Sequence, residues 1–141
     1  MRNARANKFH AKPTVRDGIR FDSRAEADWW AMLALSLRAG EIRSVNRQVT
    51  YTLGDISYRA DFEIVTDDGE RIAQDVKGVE TPRFRLVRRL WAKYGPCPLQ
   101  VIKRRGRKWF IEVIAGSNEP RGWPAAAGPG IPSGSHGANG E

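Results

Sequence analysis

From residue 22 to residue 40, apolar positions recur at helical spacing, and Trp29, Trp30, Leu33 and Leu37 make one stripe. Ser23 is a good N-cap and Gly40 a good stop, so the pattern predicts a first helix there. The period then drops to two. Val45, Arg47, Val49, Tyr51 and Leu53 alternate as a strand that turns at Gly54-Asp55. Residues 58–66 form a second strand, with Tyr58, Ala60, Phe62 and Ile64 on one face. Asp67-Asp68-Gly69 is a turn signal, followed by a third strand over 71–77 with Ile72 and Val76 inward. Thr81-Pro82 supplies an N-cap and first residue for a second helix, which ends at Gly95-Pro96. Two more strands, 99–103 and 109–114, flank a basic tip, Arg104-Arg105-Gly106-Arg107-Lys108. The order helix, three strands, helix, two strands predicts a mixed α/β domain, a central sheet flanked by helices. Trp91 and Trp109 read as core residues, and no internal repeat is visible.

Length and composition place limits on this picture. The 141 residues, 40% hydrophobic with five Trp, suit one domain with a modest core and exclude wholesale disorder. Residues 1–16 read as a flexible basic arm, 17–115 as the domain, and 116–141 as a disordered tail rich in Gly, Pro and Ala. No run approaches membrane-spanning length and no signal segment opens the chain, so the expectation is a cytoplasmic protein with no membrane partner. Cys97 is the single cysteine, which excludes a disulfide framework and a cysteine zinc site. His10 and His136 are the only histidines, so metal chemistry would rest on carboxylates and favour a hard ion such as magnesium.

The net charge of +8 is unevenly spread. Residues 1–20 carry six basic residues against Asp17, residues 21–80 carry a local net of −5, and residues 83–108 carry ten basic residues and no acid. Concentrated positive charge of this kind suits a polyanion. Arg85, Arg88, Arg89 and Lys93 on the second helix, with Arg104, Arg105, Arg107 and Lys108 at the hairpin tip, are the candidate phosphate contacts. The plainer alternative is a basic solvated surface.

The acidic middle holds the candidate chemistry. A three-residue turn at 67–69 pairs Thr66 with Glu70, with Gly69 left-handed. In that register Ile64 faces Ile72, Ala60 faces Val76, Glu63 opposes Ala73, Asp61 opposes Asp75, and Arg59 opposes Lys77. Like charges directly opposed are destabilising and raise one another's pKa unless a cation sits between them. Glu26 lies on or beside the buried stripe of the first helix and needs a partner. Two readings of it stand. Ser23-Arg24-Ala25-Glu26 fits a capping box, and Glu26 also fits a site shared with Asp61 and Asp75. Asp61 taken alone could be solvated, and Asp75 could simply pair with Lys77.

At these residues the sequence resembles the PD-(D/E)XK nuclease superfamily, through Glu26, Ala60-Asp61 and Asp75-Val76-Lys77, with Ala60 in place of the eponymous Pro and Asp75 in place of the more usual Glu. A closer resemblance is to a phage and prophage family of small endonuclease-like proteins, catalogued mainly as a domain of unknown function. It runs over about residues 7–114, through Asn7-Lys8, Asp17-Gly18, Phe21-Asp22-Ser23, Gln48, Tyr58-Arg59-Ala60-Asp61-Phe62, Asp75-Val76-Lys77-Gly78 and Thr81. Similarity to transposon endonuclease subunits and Holliday junction resolvases is confined to the catalytic pattern.

The resemblance implies a restriction-endonuclease-like core and a magnesium-dependent endodeoxyribonuclease, with manganese as substitute. Asp61, Asp75 and the Val76 carbonyl would bind the metal, Glu26 would complete the site, Lys77 would orient or help deprotonate the attacking water, and Gln48 would support it. The expected reaction is phosphodiester hydrolysis with a 5′-phosphate product. The expected partner is DNA, branched or duplex, cut by a homodimer in phage recombination or replication. Alternatives are a nicking subunit that needs a partner in recombination or transposition, and a DNA-binding module with a relic nuclease fold.

Overall fold

A computed structural model describes residues 12–117. The elements run β1 (Thr14–Arg16), β2 (Ile19–Phe21), α1 (Arg24–Arg38), β3 (Ile42–Leu53), β4 (Ile56–Thr66), β5 (Arg71–Val76), α2 (Pro82–Tyr94), β6 (Leu99–Arg105) and β7 (Lys108–Ile114). The fold is mixed α/β. A five-stranded sheet in the order β3-β4-β5-β6-β7 is antiparallel except for β5 and β6, which run parallel across the α2 crossover. The predicted order of helices and strands is present.

One element was not anticipated. β1 and β2 form a separate antiparallel hairpin whose turn, Asp17-Gly18, has both residues at positive φ (54° and 76°). This is the geometry in which Asp-Gly suits a two-residue turn. Residues 14–16, expected as the end of the arm, are therefore paired strand. Arg16 donates to the Ala27 carbonyl at 2.9 Å and meets Asp28 at 2.7 Å, which ties the hairpin to α1. At the other end, Gly116 is buried, and the Ser117 N–H donates to the Gly95 carbonyl at 2.8 Å, so the domain runs two residues past its expected limit. Most of the expected arm and tail, Trp123 included, lie outside the described residues.

Each helix covers one face of the sheet. Trp29 and Leu33 of α1 pack on Phe62, Ile64, Ile72 and Ile102. Phe84, Val87 and Trp91 of α2 pack on Tyr51, Ala73, Leu99 and Val101. Trp91 is buried as expected, and Trp109 packs edge-on against Trp29. Leu37, expected in the α1 stripe, is 42% exposed, and Ser36 is buried in its stead. The expected face of β4 also divides. Tyr58 and Ala60 join the α2 core, whereas Phe62 and Ile64 join the α1 core. The change of side falls at Asp61. In the partner strand the intervening residue is Gln48, a non-glycine residue at φ 54° between the pairs Arg47↔Phe62 and Val49↔Ala60.

A polar chain pins α1 to the centre of the sheet. The Trp29 indole N–H donates to Gln74 Oε1 at 2.9 Å, and Gln74 Nε2 donates to Gln100 Oε1 at 2.8 Å. Gln74 is fully buried, so each of these groups depends on the others for a partner. Gln74→Leu orphans the indole N–H and the Gln100 carbonyl together. We expect it to cost about 2–4 kcal/mol in urea denaturation with the m-value unchanged; a loss within 0.5 kcal/mol, about the range of a surface substitution, contradicts that role.

Candidate active site

The site forms where β4 and β5 part. The predicted turn closes them: Thr66 N–H donates to Glu70 O at 2.9 Å, and Gly69 takes φ 94°. Glu63↔Ala73 and Ile64↔Ile72 then pair in the predicted register. The ladder stops at Phe62↔Gln74, so the expected cross-strand pairs Asp61–Asp75, Ala60–Val76 and Arg59–Lys77 are not rungs of it. Instead an oxygen of the Asp61 side chain accepts the Val76 N–H at 2.9 Å. A carboxylate thus replaces a strand carbonyl, and the Val76 donor is satisfied although the backbones have separated.

Asp75 is 3% exposed and is held from two sides. The Tyr58 hydroxyl donates to its Oδ2, and Lys77 Nζ stands 3.3 Å from the same oxygen. Burial and the neighbouring Asp75 charge keep the Tyr58 hydroxyl above the usual phenol range, so it remains a donor. Lys77 follows β5, its N–H bonded to Ile102 O at 2.8 Å, and its ammonium lies over the Phe84 ring at 4.4 Å.

Glu26 comes from the first turn of α1 and is 3% exposed. Half of the capping box is present, because Ser23 Oγ accepts the Glu26 N–H at 3.1 Å. The Glu26 carboxyl does not complete the box. It takes the Gln48 amide at 3.4 Å and a bond from the Asp22 backbone. Ser23 therefore caps the helix while Glu26 faces the sheet. Gln48 lies within β3, and its left-handed backbone is a local strain of the kind that accompanies functional sites.

The electrostatics follow from crowding. Burial, then the Asp22 charge, raise Glu26 to about 7, against a lowering by Arg47 and the Asp22 backbone; Asp75 adds a smaller rise. Burial, then the charge and hydrogen bond of Asp75, then the charge of Glu26, push Asp61 well above the usual carboxylate range. Glu26, Asp61 and Asp75 therefore form one interacting acidic group. Among the described residues, however, no three His, Cys, Asp or Glu side chains are drawn together closely enough to hold a metal ion. Asp61 feels the Asp75 carboxyl more strongly than it feels Glu26. Two oxygen-donor carboxyls forced together suit a hard divalent ion. The residues that could hold one are Asp61 and Asp75, with the Val76 carbonyl beside them and Glu26 reaching it through water.

Two clefts meet at Lys77 and Thr81. One, about 410 Å³, is lined by Glu26, Ser23 and Val76. The other, about 450 Å³, lies between the β3–β4 hairpin and the first turn of α2.

The expected phosphate contacts separate into two groups. Arg85, Arg89, Lys93, Arg105, Arg107 and Lys108 are exposed. Arg88 is not free: it joins Glu80 at 2.6 Å and Glu112 at 2.8 Å, and Lys103 also meets Glu80 at 2.8 Å. Arg104 pairs with Asp28 at 2.6 Å. Both arginines belong to the scaffold. Sequence reasoning missed Tyr58 and Arg47. Tyr58 sits three residues before Asp61 within the quoted motif; for Arg47, whose Nε is buried without a hydrogen-bond partner, the sequence carries no signal.

Both carboxyl shifts are upward, so ionisation opposes folding. Their contribution is neutral below about pH 4, where folded and unfolded forms are both protonated, and turns unfavourable as pH rises above that, through about 7 for Glu26. Glu80, lowered to about 2 chiefly by its bonds to Arg88, works in the opposite sense, losing its stabilisation in acid. Comparing wild type with Asp61→Asn isolates the site. In EDTA the variant is expected to melt several degrees above wild type at about pH 8 and to converge with it near pH 4. Magnesium should raise the melting temperature of wild type alone. A variant that melts no higher than wild type at the upper pH would refute the repulsion.

The family model described as Protein of unknown function (DUF1064) matches residues 6–108 of the chain. No curated protein and no solved structure matches it significantly.

Proposed function

The chain belongs to the DUF1064 family, and from its site we propose that it is a metal-dependent DNA endonuclease of the PD-(D/E)XK kind, acting on branched DNA in phage recombination or replication. The observation that carries the reading is the pair of carboxyls Asp61 and Asp75, held by the Val76 N–H, by Tyr58 and by Lys77, the last of which lines both clefts. A scaffold gains nothing from burying like charges together, and a site that binds a cation does.

Magnesium, or manganese in its place, would supply charge neutralisation at the scissile phosphate and a bound water of lowered pKa. Asp61 and Asp75 would hold it, with the Val76 carbonyl and, through water, Glu26. Tyr58 fixes the Asp75 carboxylate by hydrogen bond, and the Val76 N–H fixes that of Asp61. Lys77 stands where its ammonium can orient the attacking water and meet a phosphate oxygen. The Phe84 ring beneath restricts its motion. Duplex or branched DNA would be gripped by Arg85, Arg89 and Lys93 and by Arg105, Arg107 and Lys108. These cations contact phosphates and do not read bases, so shape is the property recognised. Among the described residues no helix is long and apolar enough to cross a membrane. The setting we propose is the bacterial cytoplasm, with two copies cutting two strands.

The direct test is cleavage of labelled four-way junction and matched linear duplex, in magnesium or EDTA, by wild type and Asp61→Ala. We expect metal-dependent cleavage that favours the junction and falls at least 100-fold in the variant. Binding without cleavage in magnesium and manganese would instead support a partner-dependent nicking subunit or a DNA-binding module.

Glu26→Gln makes a second, separate prediction. Ser23 still caps α1 through the Glu26 backbone, so the fold should be kept while cleavage drops by a similar factor. Retained cleavage removes Glu26 from the site.

A further inference from the structure

The α2-side cleft has a composition that the acidic site does not explain. Its polar lining comes from Thr50 and Ser57, Arg59, Lys77, Thr81 and Arg83, and it contains no Asp or Glu. Three cations thus share a cavity of about 450 Å³, and two of its lining residues, Tyr58 and Lys77, hold the Asp75 carboxyl. Lys77 is neutralised in part by Asp75. Arg59 and Arg83 are exposed, and among the described residues neither forms an ion pair. Arg83 is nevertheless held in place, because its Nη2 donates to the Ser57 carbonyl at 2.7 Å across the cleft. Arg59 is opposite Thr50 in the β3–β4 ladder, so its Cα is fixed by sheet pairing.

We infer that this cleft is a phosphate-binding subsite, which takes the backbone phosphate next to the scissile one on the strand being cut. The inference rests on the nuclease reading for its substrate. Its own support is geometric. Lys77 lines both clefts, so a chain that presents one phosphate to Lys77 from the Glu26 side continues into the cleft of Arg59 and Arg83. A guanidinium can take a phosphate bidentately, and two of them with hydroxyls nearby form a polar cradle for an anion. The subsite would set the position of the strand along the site, independent of base identity. Neither arginine touches the reacting atoms; both are positioning residues.

The test uses the full chain carrying Asp61→Asn, so that bound DNA stays intact, and a fluorescein-labelled four-way junction. Adding Arg59→Ala and Arg83→Ala together should weaken binding at least 10-fold and reduce the slope of log affinity against log salt by about 1, the value of one phosphate contact. Arg38→Ala, three turns along α1 from Glu26 and exposed, removes the same charge elsewhere and should change binding less than twofold. Thermal melting checks that the double variant folds, and Arg59→Lys with Arg83→Lys, which keep the charge, should recover most of the affinity.

In the cleaving protein, the alanine pair should raise KM more than it lowers kcat. Affinity and salt slope unchanged in the double variant, or altered only as much as by Arg38→Ala, overturn the subsite and leave the nuclease reading standing. Failure of the parent to bind DNA at all overturns both. Loss of binding in the double variant, where the protein with Asp61 intact shows no cleavage of its own, upholds the phosphate-binding cleft and points to a partner-dependent nicking subunit or a DNA-binding module.

Discussion

A single carboxyl group, that of Asp61, joins the two parts of the structure that are hardest to reconcile. It accepts the Val76 N–H where the β4–β5 ladder ends, and its charge bears on that of the buried Asp75. The first contact lets the strands diverge without orphaning a backbone donor. The second creates the repulsion that dominates the local electrostatics. Remove the carboxylate and the divergence costs an unpaired N–H. Keep it, and the surroundings must be stiff enough to hold like charges together. Tyr58 and Lys77 on Asp75, Arg47 beside Glu26, and the left-handed turn of Gln48 are the means by which they do so.

That stiffness comes from outside the site. Trp29, Gln74 and Gln100 lock α1 against β5 and β6, and Arg16 and Arg104 grip Asp28, the residue before Trp29 in the same helix. On the opposite face Arg88 gathers Glu80 and Glu112, fixing the segment that leads from Lys77 into α2. The basic character of the chain therefore serves two ends. Part of it is spent within ion pairs that set the helices at their angles, and part is left exposed for a polyanion.

Much of this could be read in advance wherever the cause was local. The turn at 67–69 needs Gly69 left-handed and leaves one sensible register, so Glu63 and Ile64 could be matched to Ala73 and Ile72 from spacing alone. Ser23 and Thr81 announced their helices for the same reason. What escaped was set by long-range geometry. Alternation assigned Tyr58 and Phe62 to one face, but β4 changes sides at Asp61, and nothing at Gln48 advertises a positive φ. Arg104 looked like a free cation because its partner, Asp28, is 76 residues away. The acidic trio was visible as a group. The parting of β4 and β5 beyond Phe62 and Gln74 was not.

The chain's two exits differ in a way that matters for handling the protein. Gly116 and Ser117 fasten onto the Gly95 end of α2, about 20 Å along the helix from Thr81, where the two clefts meet, and about 12 Å from Val87, the last helical residue that lines a cleft. The β1–β2 hairpin, in contrast, is clasped to α1 through Arg16, within a turn of Glu26. A fluorophore, affinity handle or surface linker attached after Ser117 would be anchored at the end of α2 away from the junction of the clefts. The same attachment just ahead of Thr14 would crowd them.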